Sequence, residues 1–193
     1  MKKVRDHYFQ KAKREGFAAR AVYKLEEIDQ KHKLLRTGMR VLDLGAAPGS
    51  WLQYAAEKVG SGGRVVGVDL QPISESFPDQ VTVLEADVFS LALTDFPPGT
   101  APFDLILSDM APKTTGVRGA DAERSAHLVL QALALAQDLL KPGGHMLAKI
   151  FQGGRLPEVR RAMGEVFEKV TLEKPKASRS ESVEIFLLGM GRT

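Results

Sequence analysis

The feature that most constrains the fold is a loop of glycine, alanine and proline between a short apolar strand and a helix. The apolar run Arg40–Leu44 predicts a buried strand, residues 51–59 predict a helix, and residues 45–49 form the loop between them. In an open α/β sheet the first turn from strand to helix usually belongs to the ligand site, at the carboxyl ends of the strands. The loop therefore predicts both an α/β fold and the position of a ligand.

The alternation of strands and helices continues along the chain. Apolar runs predict further strands at residues 64–69, 81–85, 103–108, 145–150, 169–172 and 183–188. Helical periodicity predicts helices at residues 17–32, 121–140 and 156–166. The Lys-Pro-Gly-Gly sequence at residues 141–144 predicts a turn that ends the long helix. This order predicts a doubly wound α/β sheet in a single domain, residues 1–193, with residues 1–36 as a basic helical extension within it.

Composition excludes several kinds of site. The chain has no cysteine, which excludes disulfides, iron–sulfur clusters and thiolate chemistry, and its four histidines are too scattered to predict a zinc site. No apolar run approaches the roughly 20 residues that span a bilayer, and no signal peptide is recognisable at the start. We therefore expect a cytoplasmic protein with no metal and no membrane association.

Charge is distributed unevenly along the chain. Residues 1–40 carry 12 lysines and arginines against 5 acidic residues, and residues 149–193 carry 9 against 6, whereas residues 41–148 carry 6 against 13. Basic ends are typical of proteins that bind a polyanion, because cations that contact phosphates supply most non-specific affinity for nucleic acid. A solvated basic helix is the alternative interpretation.

Two aspartates and the loop glycines are candidates for binding a cofactor. Asp69 ends the second strand, where an acid commonly accepts hydrogen bonds from ribose hydroxyls, and Asp87 follows the third, where it could accept one from an adenine amino group. Gly45 and Gly49 would let the backbone approach a ligand closely. Their spacing, with Pro48 between them, differs from the dinucleotide motif and disfavours a nicotinamide cofactor. With Asp43 and Asp109, these two aspartates lie near strand ends on one acidic edge, which suits S-adenosylmethionine because its reactive sulfur is cationic. The alternative is that Asp69 and Asp87 simply cap loops.

Lys149 occupies a strand position where a buried sheet favours an apolar residue. Asp109 ends the preceding strand motif, so the two side chains are expected to converge if their strands adjoin. Burial disfavours the charged form of a lysine, which would suit Lys149 to act as a general base; an exposed lysine paired with any acid is the alternative. Glu184 interrupts another apolar run in the same way, whereas Lys24 fits a solvated helix face equally well.

Five segments of the sequence are similar to the FtsJ/RrmJ family of 2′-O-ribose RNA methyltransferases. They are RAVYKL at residues 20–25, DLGAAPGSW at 43–51, SDMAP at 108–112, KIFQG at 149–153 and SVE at 182–184. Ala19 and Ser50 stand where many relatives have serine and glycine. The resemblance implies a Rossmann-like class I methyltransferase fold, with a mostly parallel seven-stranded sheet, helices on both faces and an antiparallel last strand.

The resemblance also assigns site residues. The family's catalytic tetrad falls on Lys24, Asp109, Lys149 and Glu184. The same resemblance places S-adenosyl-L-methionine next to Gly45, Gly49, Trp51, Asp69, Asp87 and Asp109.

The bacterial branch of the family is most similar in length, which implies 2′-O-methylation of a uridine ribose in 23S ribosomal RNA. The implied partner is the large ribosomal subunit, bound by a monomer. Methylation of the tRNA anticodon loop, a small-molecule O-methyltransferase and a non-catalytic RNA-binding module are the alternatives. We expect RNA contacts from Lys2, Lys3, Arg5, Lys11, Lys13, Arg14, Arg20, Lys174, Lys176 and Arg179, and a mobile lip at residues 113–119.

Overall fold

A computed structural model describes residues 4–179 and 182–193. Seven strands run along the chain: β1 Arg40–Leu44, β2 Arg64–Asp69, β3 Val81–Glu85, β4 Phe103–Ser108, β5 Leu140–Phe151, β6 Phe167–Glu173 and β7 Glu184–Arg192. The helices are α1 Val4–Glu15, α2 Val22–His32, α3 Ser50–Val59, α4 Arg118–Leu139 and α5 Leu156–Gly164, with a short 3-10 turn at Leu93–Asp95.

The strands form one sheet in the order β3-β2-β1-β4-β5-β7-β6. Strands β1 to β5 pair in parallel, and β7 pairs antiparallel with both β5 and β6. The predicted α/β fold with a mostly parallel seven-stranded sheet and an antiparallel last strand is thereby confirmed. None of the helices in the described part of the chain is long and apolar enough to cross a membrane.

Apolar side chains cover both faces of the sheet. Leu42 and Leu44 of β1 face a layer formed by α4 and α5, whereas Val41 faces α2 and α3 on the opposite side. Both layers are needed because parallel strands are apolar on both faces and must be covered on both. Asp43, which lies between Leu42 and Leu44, therefore points to the α2 and α3 side.

Two sequence predictions differ from the structure. The helix expected from residue 17 begins at Val22, because Gly16 adopts a positive φ of 78° and residues 16–21 form a turn. The turn predicted at residues 141–144 is wrong, because β5 already starts at Leu140, which pairs with Phe103. Gly143, with a φ of 75°, is accommodated by a shift in register within the β4–β5 pair.

Candidate active site

A cavity of about 440 Å³ lies at the carboxyl ends of β1, β2, β3 and β4. Among the residues predicted to bind a cofactor, Gly45, Asp69, Asp87 and Asp109 line it. Gly49 and Trp51 are not among its lining residues. Sequence reasoning missed its apolar lining, which includes Leu70, Val88, Phe89, Met110 and Leu128.

Asp69 and Asp87 both line the cavity and hold the loops around it. The Asp69 carboxylate accepts hydrogen bonds from the main-chain N–H groups of Ala47 (2.9 Å) and Gln71 (2.8 Å). Asp87 accepts one from the N–H of Phe89 at 3.0 Å. The loop-capping interpretation and the ligand-binding interpretation are therefore compatible, because capping fixes each carboxylate at the wall of the cavity.

The two loop glycines are required for different reasons. Gly45 has a φ of 75°, and a Cβ atom there would lie 2.7 Å from Cγ of Met110 in the cavity wall. Gly49 has a φ of 112° and is the N-cap of α3, where a Cβ atom would lie 2.9 Å from the ring of Phe77. Helix α3 has no side-chain cap, so its first N–H groups are available to an anionic ligand group.

Trp51 joins α3 to α2. Its indole N–H donates to the carbonyl of Ala21 at 2.9 Å, and its ring packs on Phe186 with a centroid separation of 5.9 Å. The side chain is buried. That Trp51 contacts a cofactor stays a prediction.

The four tetrad residues form two ion pairs. Lys149, only 5% exposed, places Nζ 3.0 Å from Oδ1 of Asp109 and donates to the Asp109 carbonyl at 2.6 Å. Lys24 donates to Glu184 at 2.7 Å, although 160 residues separate them in sequence. The pairs are adjacent because β5 and β7 are neighbours, with Phe151 opposite Glu184 and Lys149 opposite Phe186.

Glu184 connects the two pairs electrostatically. Burial alone would raise the pKa of Glu184, but the charge and hydrogen bond of Lys24, together with the charge of Lys149, lower that pKa below its usual value. Glu184 is therefore an anion at neutral pH that attracts both lysines. This arrangement brings the side chains of two lysines to one acid on one face of the sheet.

Asp43 is a buried acid that belongs with Asp69, Asp87 and Asp109 to the acidic edge predicted from the sequence, but it is not among the residues assigned to the site. It is fully buried, and neither carboxylate oxygen has a hydrogen-bond partner in the described part of the chain. Burial, followed by the charges of Asp109 and Asp69, raises the pKa of Asp43 well above its usual value. An acid within an apolar strand is the signal that could have identified it, and the same kind of signal drew attention to Lys149.

A second cavity, of about 410 Å³, opens beside the Lys24–Glu184 pair. Arg20 and Arg179 line it together with these two residues. Burial and then the charge of Arg179 lower the pKa of Arg20, which also donates to the carbonyl of Ala177 at 2.7 Å. Two guanidinium groups beside a lysine make this cavity suitable for a phosphate group.

The side chains of five other residues predicted to contact RNA are described by the structure. Lys13, Arg14 and Lys176 are exposed, Lys11 lies 3.9 Å from Glu26, and Lys174 donates to the carbonyl of Ser182. Lys2, Lys3 and the side chain of Arg5 lie outside the part of the chain that the structure describes. Whether these residues contact RNA stays a prediction.

Residues 118 and 119 of the predicted lip belong to α4, and hydrogen bonds connect its centre to Asp121. That the lip is mobile stays a prediction. Asp121 accepts hydrogen bonds from the N–H and hydroxyl of Thr115 and from the N–H of Gly116. These bonds lower the pKa of Asp121, the N–H of Thr115 most strongly.

Within residues 4–179 and 182–193, no group of three or more histidine and acidic side chains could hold a metal ion.

Comparison with known proteins gives consistent matches over nearly the whole chain. Residues 17–192 match the FtsJ-like methyltransferase family. The chain is 53% identical to the ribosomal RNA large subunit methyltransferase E of Syntrophobacter fumaroxidans, covering 97% of this chain and 95% of that protein. It is 52% identical to the protein of the same name from Nitratidesulfovibrio vulgaris, covering 99% and 95%.

A solved structure is similar in fold. The crystal structure of a ribosomal RNA methyltransferase from Plasmodium falciparum superimposes with a TM-score of 0.77, covering 91% of this chain and 98% of that one. The two sequences are 24% identical, so this match supports the fold alone.

Proposed function

Because the chain belongs to the FtsJ-like methyltransferase family, we propose that it transfers a methyl group from S-adenosylmethionine to the 2′-hydroxyl of a uridine in 23S ribosomal RNA. The names of its relatives support ribosomal RNA of the large subunit as the substrate. The observation that carries the proposal is the position of Lys149, which contacts Asp109 of the first cavity and interacts with Glu184 of the second.

The first cavity fits S-adenosylmethionine. Asp69 and Asp87 offer carboxylate oxygens to ribose hydroxyls and to the adenine amino group, and the apolar lining suits the adenine ring. The uncapped start of α3 would suit the carboxylate of the amino acid end. When bound, the cofactor supplies an electrophilic methyl group on a cationic sulfur. Gly49 and Trp51 contribute by forming the start of α3.

With the substrate bound, Lys149 in its neutral form would accept the proton of the 2′-hydroxyl as that oxygen attacks the methyl group, whose bond to sulfur would break to leave S-adenosylhomocysteine. Asp109 holds Nζ of Lys149 through two contacts and so fixes its position. Lys24 would stabilise the developing negative charge on the oxygen, and Glu184 holds Lys24 in place. Arg20 and Arg179 would bind a phosphate next to the target ribose.

Residues 1–193 would form one methyltransferase domain that acts as a monomer on the large ribosomal subunit in the cytoplasm. Its basic α1 would contact phosphates outside the second cavity.

The test is a methyl-transfer assay with radiolabelled S-adenosylmethionine and three acceptors: unmodified large ribosomal subunits, total tRNA and a catechol. We expect label in 23S RNA, in a dinucleotide that resists alkali because its 2′-oxygen is methylated. Lys149→Met should lower the rate by about 100-fold or more while leaving cofactor binding intact, because a positioned general base contributes about 10² to 10⁴. Label in tRNA or catechol instead, or full activity of the variant, would overturn the proposal.

A further inference from the structure

Gln53 lies in the first turn of α3, four residues after the cofactor-loop residue Gly49. Its main-chain N–H donates to the carbonyl of Gly49 at 3.0 Å, which ties it directly to the loop. Its side chain is not among those that line either cavity of the site. It extends instead to the turn at residues 16–21.

Both ends of the Gln53 amide are used in that turn. Oε1 accepts the N–H of Ala18 at 2.8 Å, and Nε2 donates to the carbonyl of Gly16 at 3.1 Å. These main-chain groups lie between the end of α1 and the start of α2, outside the regular hydrogen bonding of either helix. The indole of Trp51, in the same turn of α3, adds the bond to Ala21. Three side-chain hydrogen bonds therefore connect the start of α3 to residues 16–21.

The turn carries the cations on the substrate side. Arg20 belongs to it and lines the second cavity, and Lys24 follows in the first turn of α2 and pairs with Glu184. The basic helix α1 enters the turn from the other end. The orientation of residues 16–21 thus sets where these cations meet an RNA phosphate.

We propose that Gln53 is a positioning residue that couples the cofactor loop to the RNA-binding turn, so that cofactor and RNA bind cooperatively. This inference rests on the proposed function. A ligand held at the start of α3 orders its first turn, which orders residues 16–21 through Gln53 and lowers the entropic cost of RNA binding. By linkage, RNA must strengthen cofactor binding by the same factor.

The experiment measures the Kd of a 23S RNA fragment with and without S-adenosylhomocysteine, and the Kd of S-adenosylhomocysteine alone. The wild type should bind RNA more tightly when S-adenosylhomocysteine is present. Gln53→Met keeps the size of the side chain but makes neither hydrogen bond, so RNA affinity in the ternary complex should fall on the order of 10-fold. Its affinity for S-adenosylhomocysteine alone should stay within about 2-fold, and its KM for RNA should rise more than its kcat falls.

Two further variants separate positioning from general damage. Gln53→Glu retains an acceptor for Ala18 but loses the donor to Gly16, so its loss should be intermediate. Gln80→Met is the matched control, since Gln80 donates to Ala56 towards the other end of α3 and should leave the coupling unchanged. Equal coupling in the wild type and Gln53→Met, or no coupling in the wild type, would overturn the inference. Failure of the wild type to methylate RNA would instead overturn the proposed function.

Discussion

Replacing Gly45 with alanine should both destabilise the fold and disturb the first cavity. Gly45 has a φ of 75°, in the left-handed region that residues with a Cβ atom rarely adopt. A Cβ atom would also lie 2.7 Å from Cγ of Met110 and 2.9 Å from its main-chain N and Cα atoms. The methionine side chain can rotate away, but its main chain cannot move without shifting the end of β4. The substitution therefore combines backbone strain with overpacking.

Gly38→Ala is the matched control that separates these two effects. Gly38 has a φ of 81°, and a Cβ atom there would meet nothing within 4 Å. The left-handed conformation costs about 1–2 kcal/mol in both variants, and the loss of unfolded-state entropy returns about 0.4–1 kcal/mol in both. These contributions cancel in the difference. Overpacking adds about 1–3 kcal/mol to Gly45→Ala alone, and that is the expected gap in unfolding free energy.

Urea unfolding of the two variants measures this gap, and calorimetric titration with S-adenosylhomocysteine measures the effect on the cavity. Gly45→Ala should bind the ligand more weakly because Met110 lines the cavity, whereas Gly38→Ala should bind it like the wild type. Equal unfolding free energies for the two variants would refute the argument from close contact. Unchanged ligand affinity of Gly45→Ala would refute the argument that Met110 transmits the change to the cavity.

Three other predictions concern charge. Asp43→Asn should raise the melting temperature of the ligand-free protein at pH 7 and flatten the dependence of that temperature on pH. The reason is that the pKa of Asp43 is raised in the folded protein, so the wild type loses stability as pH rises above about 4. Parallel curves of melting temperature against pH for the two proteins would contradict this. Lys24→Met should raise the pKa of Glu184 and so remove stability at neutral pH, which the wild type loses only as pH falls through that lowered pKa. The loss should be about 1–3 kcal/mol, because Glu184 is left without its partner at a partly buried position, and urea unfolding against pH measures it. Changing Lys13 and Arg14 to glutamine should reduce the slope of log Kd for RNA against log salt by about 1 for each phosphate that these side chains neutralise, and an unchanged slope would exclude them from the interface.

The sequence predicted those parts of the site that depend on strand order. Asp69, Asp87 and Asp109 each end or follow a strand, and parallel strands bring their carboxyl ends to one edge. Lys149 was recognisable because a charge in an apolar strand must find a partner. Asp43 carries the same signal within its strand and lies on the same predicted acidic edge, but nothing in the sequence assigned it a role of its own.

Other features depend on contacts between distant parts of the chain. Lys24 has the spacing of a solvated helix residue, and only the packing of α2 over the sheet brings it to Glu184. Gln53 gave no signal in sequence, because its two partners are main-chain groups of residues 35 and 37 positions away. The start of β5 was misplaced for a similar reason. The pairing of Leu140 with Phe103 outweighs the local preference of Lys-Pro-Gly-Gly for a turn.

The geometry of β5 explains how one lysine can interact with a residue of each cavity. Side chains alternate between the faces of a strand, so Ala148 and Ile150 pack against α4 and α5 while Lys149 points to the side of α2 and α3. That side also holds Lys24. Phe186 and Glu184, which are two positions apart on β7, point to the same side. A shift of β5 by one residue would turn Lys149 into the apolar layer and leave Asp109 without its cation. Asp109 of the first cavity and Glu184 of the second therefore both interact with Lys149, whose position depends on the register between β4, β5 and β7.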